Sequence, residues 1–404
     1  MISSEYKWSF LGSSAMAATQ LLQMIFAARM LQPAELGLWA VLLMTYRLFT
    51  PFVEGGWNRA IIREKILTKE QIDTLFTCNV AIGMLAAILL CLGAETIAVF
   101  FSVGVFSKYA FVFSFVFVAI GLGSLRGNIL QKELQFQRIA LIQITSVTVE
   151  FVIFLYMLFH GFMIWSLLIP FLIRFYIQHL SYLFWSDEKI DFALKLRSVL
   201  SIFRFARFDL GSQLLNYFYT NIDNIIVGRL FGQTALGFYS LAWDITVKPI
   251  SFFNPIILRV AFPLMSKAAK VKAIYYQILW RVGAVQIPLY IVLGSCMYWI
   301  IVLIYGSQWL PAQGLATILC GVAVLRAIAE PGASVLAVKG RFDFEFYFQI
   351  LNIIITGFSI SIFYKLGPQI ENIAWAMLFA HVLLMSFWFW WIEKNVVRTE
   401  IDVE

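Results

Sequence analysis

Charge is scarce in this chain. Only 13% of its 404 residues are charged while 61% are hydrophobic, and an ordinary soluble domain carries about 25% charged residues. Histidine is nearly absent, with three in all, and there are four cysteines. Cys78, Cys91, Cys296 and Cys320 all fall inside apolar segments and none has CxxC spacing, which argues against a disulfide framework and against a zinc site. No GxxxxGK[ST], HExxH or GxSxG motif occurs. An ATP-driven process would therefore need its nucleotide domain on another chain, and an enzyme is not expected. No long hydrophilic segment separates the apolar ones, so no extracytoplasmic domain is expected.

What the chain does have is apolar stretches, and they recur along its whole length. Segments such as 82–93, 109–123, 145–159 and 287–305, with their flanks, approach the about 20 residues that cross a hydrocarbon core. Twelve spans are predicted, at about 9–31, 36–57, 74–99, 108–130, 139–159, 163–185, 203–230, 235–264, 274–305, 311–337, 343–364 and 371–393. Aromatics make up 17% of the chain. Trp8, Trp39, Trp185, Trp309 and the run Trp388 to Trp391 sit near span ends, as an interfacial belt requires. With the N-terminus placed in the cytoplasm, the inside loops and tails carry 19 Lys and Arg, from Lys7 to Arg398, and the outside loops carry four: Arg29, Lys108, Arg229 and Lys365. This positive-inside split puts both termini in the cytoplasm. The net charge of +7 is thus a topology signal, and no nucleic acid partner is expected. Lys7 is not followed by a short apolar core with a small-residue cleavage site, so the first span is expected to be retained.

An internal repeat follows. Ala28-Arg29-Met30-Leu31 and Leu36-Gly37-Leu38-Trp39-Ala40 match Gly228-Arg229-Leu230-Phe231 and Leu236-Gly237-Phe238-Tyr239-Ser240 at an offset of 200 residues, and Leu125-Arg126 matches Leu325-Arg326 at the same offset. Six spans per half give both halves one orientation, the arrangement of parallel repeats around an axis along the membrane normal. The expected divisions are a six-helix lobe over 1–190, a cytoplasmic linker over 191–202, a second six-helix lobe over 203–395 and a tail over 396–404.

Polar residues inside spans are the candidates for function, because a charge at mid-membrane costs roughly 2.5–3.5 kcal/mol on insertion scales and so faces a cavity or a partner. Gln213, Asn216, Thr220 and Asp223 are spaced 3, 4 and 3 apart, one face of a helix. Ser13, Gln20 and Gln23 form the counterpart in span 1. Arg47, Thr50 and Glu54 share a face of span 2. Asp244, Lys248, Ser251 and Pro255 share one on span 8. Arg47 and Lys248 lie at similar depth on repeat-related helices, a pair suited to a multiply charged anion such as pyrophosphate. Glu150, Arg174, Arg281, Arg326 and Glu330 are further buried charges, each a substrate contact or half of a structural pair. The polar stripes equally read as hydrogen bonding between helices of one lobe, and Asp244 with Lys248 as a mutually neutralising i,i+4 pair. His179 and His381 read as span-end amphipathic residues before proton relays. Pro249 and Pro255, with Pro263 and Pro288, are hinge candidates or static kinks.

Several stretches resemble the Wzx-type polysaccharide flippases of the multidrug/oligosaccharidyl-lipid/polysaccharide exporter superfamily, and within it the colanic-acid-exporter-like branch. The most specific runs from Asn221 to Gly232 and from Ala235 to Ala242 and is similar to the start of that branch's second lobe. Arg29 to Gly37 resembles its first-lobe counterpart, Gln131-Lys132 through Phe136-Gln137-Arg138 its basic turn after span 4, and Glu150 with Gly161 and Trp165 its span 5–6 segment. The likeness runs from about residue 7 to 390. It implies an all-α membrane protein of two parallel-repeat six-helix lobes forming a V around a central cationic cavity. It also implies an undecaprenyl-pyrophosphate-linked oligosaccharide as substrate, for O-antigen, capsule or exopolysaccharide, in the bacterial inner membrane. Membrane lipids, a polysaccharide polymerase and a chain-length regulator are the further partners of such a system. No cofactor is expected beyond a coupling H+ or Na+, for which Asp223, Asp244 and Glu150 are candidates. One departure is length: the branch often has fourteen spans, and twelve are read here. Three alternatives remain. A cation-coupled multidrug antiporter of the same superfamily would favour an acidic cavity, a membrane polymerase would need a large outside loop, and a non-transporting scaffold would not need buried charges.

Overall fold

The computed structural model describes residues 2–57, 61, 64, 67–185, 191–247, 249–250, 261, 264–265 and 271–397. Among them the chain is helical and without strands, and eleven helices are long and apolar enough to cross a membrane. They are α1 (Ile2–Met30), α2 (Pro33–Val53), α3 (Lys69–Phe101), α4 (Phe106–Lys132), α5 (Phe136–Phe159), α6 (Trp165–Phe184), α7 (Leu200–Thr246), α8 (Val271–Ser295), α9 (Ala312–Val338), α10 (Phe342–Leu366) and α11 (Ile370–Ile392).

Eleven such helices stand against the twelve expected, and the difference lies at α7. This 47-residue helix is broken at Gly232, whose φ of 77° and ψ of −172° are not helical. Only a residue without Cβ occupies that region readily. The break falls between the two spans predicted at 203–230 and 235–264. The second arm is helical over 233–246, and most of its expected continuation lies outside the described residues. Pro249 corrects one expectation. It lies in a turn beyond Thr246 rather than inside a helix, because proline cannot donate to the helical ladder and disfavours helix in the residue before it.

Two compact units emerge, residues Met1–Tyr217 and Phe218–Glu404. Each repeats one packing order. In the first, α3 packs on α4, α4 on α6 and α6 on α5, with α1 against α5; in the second, α8 packs on α9, α9 on α11 and α11 on α10. The turns repeat as well. After α4, the Gln135 N–H donates to the Leu130 carbonyl and Leu134 takes φ 58°. After α9, the Arg341 N–H donates to the Leu336 carbonyl and Gly340 takes φ 67°. Both are helix stops in which a left-handed residue lets the chain bond back to orphan carbonyls.

Local chemistry sets the helix starts. Thr68 and Gln71 form a reciprocal capping box at α3, and Gln32, Glu35 and Pro33 do the same work at α2, satisfying amides that have no helical partner. The segment after α6 is fastened to α3. The backbone N–H groups of Asp191, Ala193 and Lys195 donate to the side chains of Asp73, Thr77 and Thr74 at 3.0, 3.1 and 3.2 Å, and Gln71 donates to the Ser198 carbonyl. The apolar cores are internal to each unit: one around Trp57, Leu75, Leu125 and Ile202, the other around Met265, Phe344, Leu384 and Trp388.

Candidate functional site

In the first unit the ionisable groups of α5 and α6 meet. Arg174 Nη1 donates to Glu150 Oε2 at 3.2 Å, with the Arg side chain 12% and the Glu side chain 4% exposed. Gln23 of α1 adds a hydrogen bond to the same carboxylate. The guanidinium lies 5.2 Å from the ring centre of Phe171 and 4.7 Å from that of Phe175. Tyr46 packs edge-on against both rings. Of the two roles the sequence left for Arg174 and Glu150, the structure shows the pair. A charge removed from water in this way is tolerable because its opposite is beside it.

The second unit arranges a related cluster with different chemistry. Asp223 is the 200-residue mate of Gln23. It is 2% exposed, and its Oδ2 accepts the Tyr239 hydroxyl at 2.8 Å from across the Gly232 break. Arg326 of α9 is close enough to attract that carboxylate and lies 5.8 and 5.6 Å from the ring centres of Tyr219 and Trp243. The α7 stripe therefore does not stay on one surface: Asn216 is exposed, Gln213 and Thr220 are half-buried, and Asp223 is inside the unit. Helical spacing fixes an angular face but not what covers it along its length. Gln213 is held by Asp209 at 2.8 Å, and Thr220 by Asn221 at 2.9 Å.

The remaining candidates divide by exposure. Arg47 on α2, Arg281 on α8 and Gln20 on α1 are exposed, while Gln23 and Asp244 are half-buried. Lys248 and Pro255 lie outside the described residues. Arg29 lies in the last turn of α1. His179 and His381 correct the span-end reading. Both are buried, and each Nδ1 lies within 2.9 Å of the carbonyl four residues earlier on its own helix. Their apolar neighbours decide this, and single-helix spacing does not report them.

Sequence reasoning missed the partners rather than the charges. Tyr239 was part of the repeat motif, but nothing in its spacing named Asp223 as its acceptor. It also missed a cavity of about 260 Å³ within the first unit, lined from α1, the end of α2, the end of α4, the start of α5 and the end of α6. Its polar residues are scattered over five elements, so no local pattern marks them. Glycines allow the walls to meet. A Cβ on Gly123 would lie 2.3 Å from the His179 carbonyl oxygen, and one on Gly12 would lie 2.7 Å from Gln143 Oε1.

The described residues thus form a multi-pass helical protein whose two units repeat one packing order. Solved structures share this fold. The lipid II flippase MurJ in an inward closed conformation matches with a TM-score of 0.80 at 16% identity, over 97% of this chain and 89% of that one. An inward-facing multidrug resistance MATE family transporter of the MOP superfamily matches with a TM-score of 0.75 at 15% identity, over 96% and 98%. At these identities the likeness is one of fold. The sequence gives the family: residues 26–314 match its model, and the chain belongs to the polysaccharide biosynthesis protein family. The teichuronic acid biosynthesis protein TuaB of Bacillus subtilis (strain 168) is 28% identical over 99% of this chain and 84% of its own length. The lipopolysaccharide biosynthesis protein WzxC of Escherichia coli (strain K12) is 25% identical over 85% and 71%.

Proposed function

We propose that this chain is a flippase that carries an undecaprenyl-pyrophosphate-linked oligosaccharide from the cytoplasmic to the outer leaflet of the bacterial inner membrane by alternating access. One observation carries the reading beyond family membership. Arg47 and Arg281 are exposed on helices long and apolar enough to span a membrane. A lipid-facing guanidinium at that depth is costly, so such residues line a watery passage. A passage lined by cations suits an anion, and the planar guanidinium fork suits phosphate oxygens. In this scheme Arg47, with Lys248 as its repeat-side counterpart, holds the pyrophosphate, and the lipid tail stays in the bilayer. The two lobes, divided by the linker at 191–202, rock to expose the sugar outside, with both termini in the cytoplasm. A polymerase and a chain-length regulator would receive the product.

The multidrug exporter reading shares the fold, but a cationic drug would be repelled by the same arginines. The test is transport of a fluorescent undecaprenyl-pyrophosphate oligosaccharide in proteoliposomes. The wild-type chain is expected to move it, and Arg47→Ala to move it at least tenfold more slowly. A variant at the wild-type rate would remove Arg47 from the scheme. A wild-type chain that moved cationic drugs and no lipid-linked sugar would overturn the flippase reading.

A further inference from the structure

The cavity of the first unit has a composition that the transport scheme above does not use. Glu54, Asn128, Gln131, Gln143, Gln178 and Tyr182 all line it. The Tyr182 hydroxyl accepts from Gln178 Nε2 at 3.4 Å and lies within hydrogen-bonding range of Gln143. Among the described residues no lysine or arginine lines it, so none of them gives pyrophosphate a counter-charge there. A single carboxylate among neutral groups does not make a metal cage, and no cluster of three or more His, Cys, Asp or Glu is found among the described residues. What remains is a wall of side-chain amides and hydroxyls, each able to donate and accept at once. Vicinal diols and acetamido groups of a sugar ring present the same mixed pairs. At about 260 Å³ the cavity lies just under the roughly 300–1,000 Å³ of ordinary ligand pockets, the scale of a small polar ring rather than a whole oligosaccharide. The cavity is also pre-shaped. Gly123 and Gly12 bring α4 against α6 and α1 against α5, with no room for a Cβ.

From this we infer that the first-unit cavity is a sugar subsite that receives one ring of the oligosaccharide headgroup and makes recognition depend on the sugar as well as on the pyrophosphate. The inference rests on the flippase reading. A site that hydrogen-bonds hydroxyls discriminates strongly against a ligand lacking them, because its own polar groups are then left unpaired.

The test is binding to the purified full-length chain in detergent, read by thermal unfolding. The probes are undecaprenyl pyrophosphate and the same lipid carrying glucose, galactose or N-acetylglucosamine, with the three free sugars as a separate arm. At least one sugar-bearing lipid is expected to bind the wild-type chain about tenfold more tightly than the bare lipid. Gln143→Leu and Gln178→Leu are each expected to lose that increment while keeping the affinity for the bare lipid. Gly127→Leu, which fills the cavity beside Tyr182, provides a second route to the same loss. Equal binding of bare and sugar-bearing lipids by the wild-type chain would overturn the subsite and leave the flippase reading standing, as would variants that weaken both lipids alike. A chain that bound neither lipid would overturn both. Binding of free sugar alone, with no gain on the lipid, would make the cavity a site for a diffusible sugar and also overturn the proposal. Stabilisation by Na+ that Glu54→Gln abolishes would make it a cation site instead.

Discussion

The two units share a packing order and differ in what they pack. At the start of α5 and the end of α6 the first unit has a polar cavity with Gln143, Gln178 and Tyr182 in its wall. At the start of α10 and the end of α11 the second has an aromatic groove of about 400 Å³, where Phe344 and Trp391 stack at 3.7 Å and the Arg341 guanidinium lies 4.9 Å from the Trp391 ring centre. The same division holds deeper in. The first unit compensates its buried charge with an ion pair, Glu150 with Arg174, while the second engages Asp223 by a tyrosine hydroxyl. Repeat architecture therefore constrains helix order and turn geometry and leaves the interior chemistry free to diverge. Such divergence suits a carrier whose two halves meet different parts of one amphipathic substrate.

The largest expected effect tests the ion pair. Arg174→Leu leaves the Glu150 carboxylate buried without its cation, a class of change that costs about 3–5 kcal/mol. The double variant Arg174→Leu with Glu150→Leu removes both charges and is expected to recover most of that loss, because an apolar replacement of a buried pair is often neutral. Unfolding in mixed detergent micelles reads both. A single variant as stable as the wild type would mean that the pair is solvated and the contrast between the units is false. Tyr239→Phe is the matching test in the second unit. It removes a hydrogen bond to a buried carboxylate and is expected to cost about 1.5–3 kcal/mol. It acts within α7, where the bond ties the two arms across Gly232. A loss equal to that of Arg174→Leu would show that the hydroxyl carries as much as a full ion pair, and the distinction drawn between the units would fall.

How much of this could be read beforehand follows from what periodicity reports. Twelve apolar runs, the 200-residue offset and the break near Gly232 were legible because length, repetition and a glycine between spans are local signals. Arg47 and Arg281 were legible as charges within apolar spans, and both are exposed on their helices. Arg174 and Glu150 were equally visible as charges, but their union joins residues 24 apart in sequence on two helices, and spacing along either helix carries no trace of the other. His179 and His381 were misjudged for the same reason, since burial is decided by neighbours from other helices. The cavity of the first unit was invisible throughout, because each of its five elements contributes only one to three polar residues that, taken alone, look like ordinary span-end residues. Tertiary assembly, not propensity, turns them into a site.

The smallest expected effect concerns the one place where the repeated turns use different residues. Leu134 and Gly340 occupy equivalent positions after α4 and α9, at φ 58° and 67°, with the same back-bond from the following residue to the carbonyl five earlier. An L side chain in the left-handed region pays roughly 1–2 kcal/mol, and glycine pays about 0.5–1 kcal/mol in lost chain entropy instead. The difference favours glycine, so Leu134→Gly is expected to stabilise the first unit by about 0.5–1 kcal/mol, and Gly340→Leu to destabilise the second by a similar amount. Leu134 is 57% exposed, so little packing opposes the gain. A shift of opposite sign at Leu134 would mean that this side chain makes contacts in the membrane interface worth more than its backbone strain. The first turn would then join the cavity and the ion pair among the features in which the two units have parted.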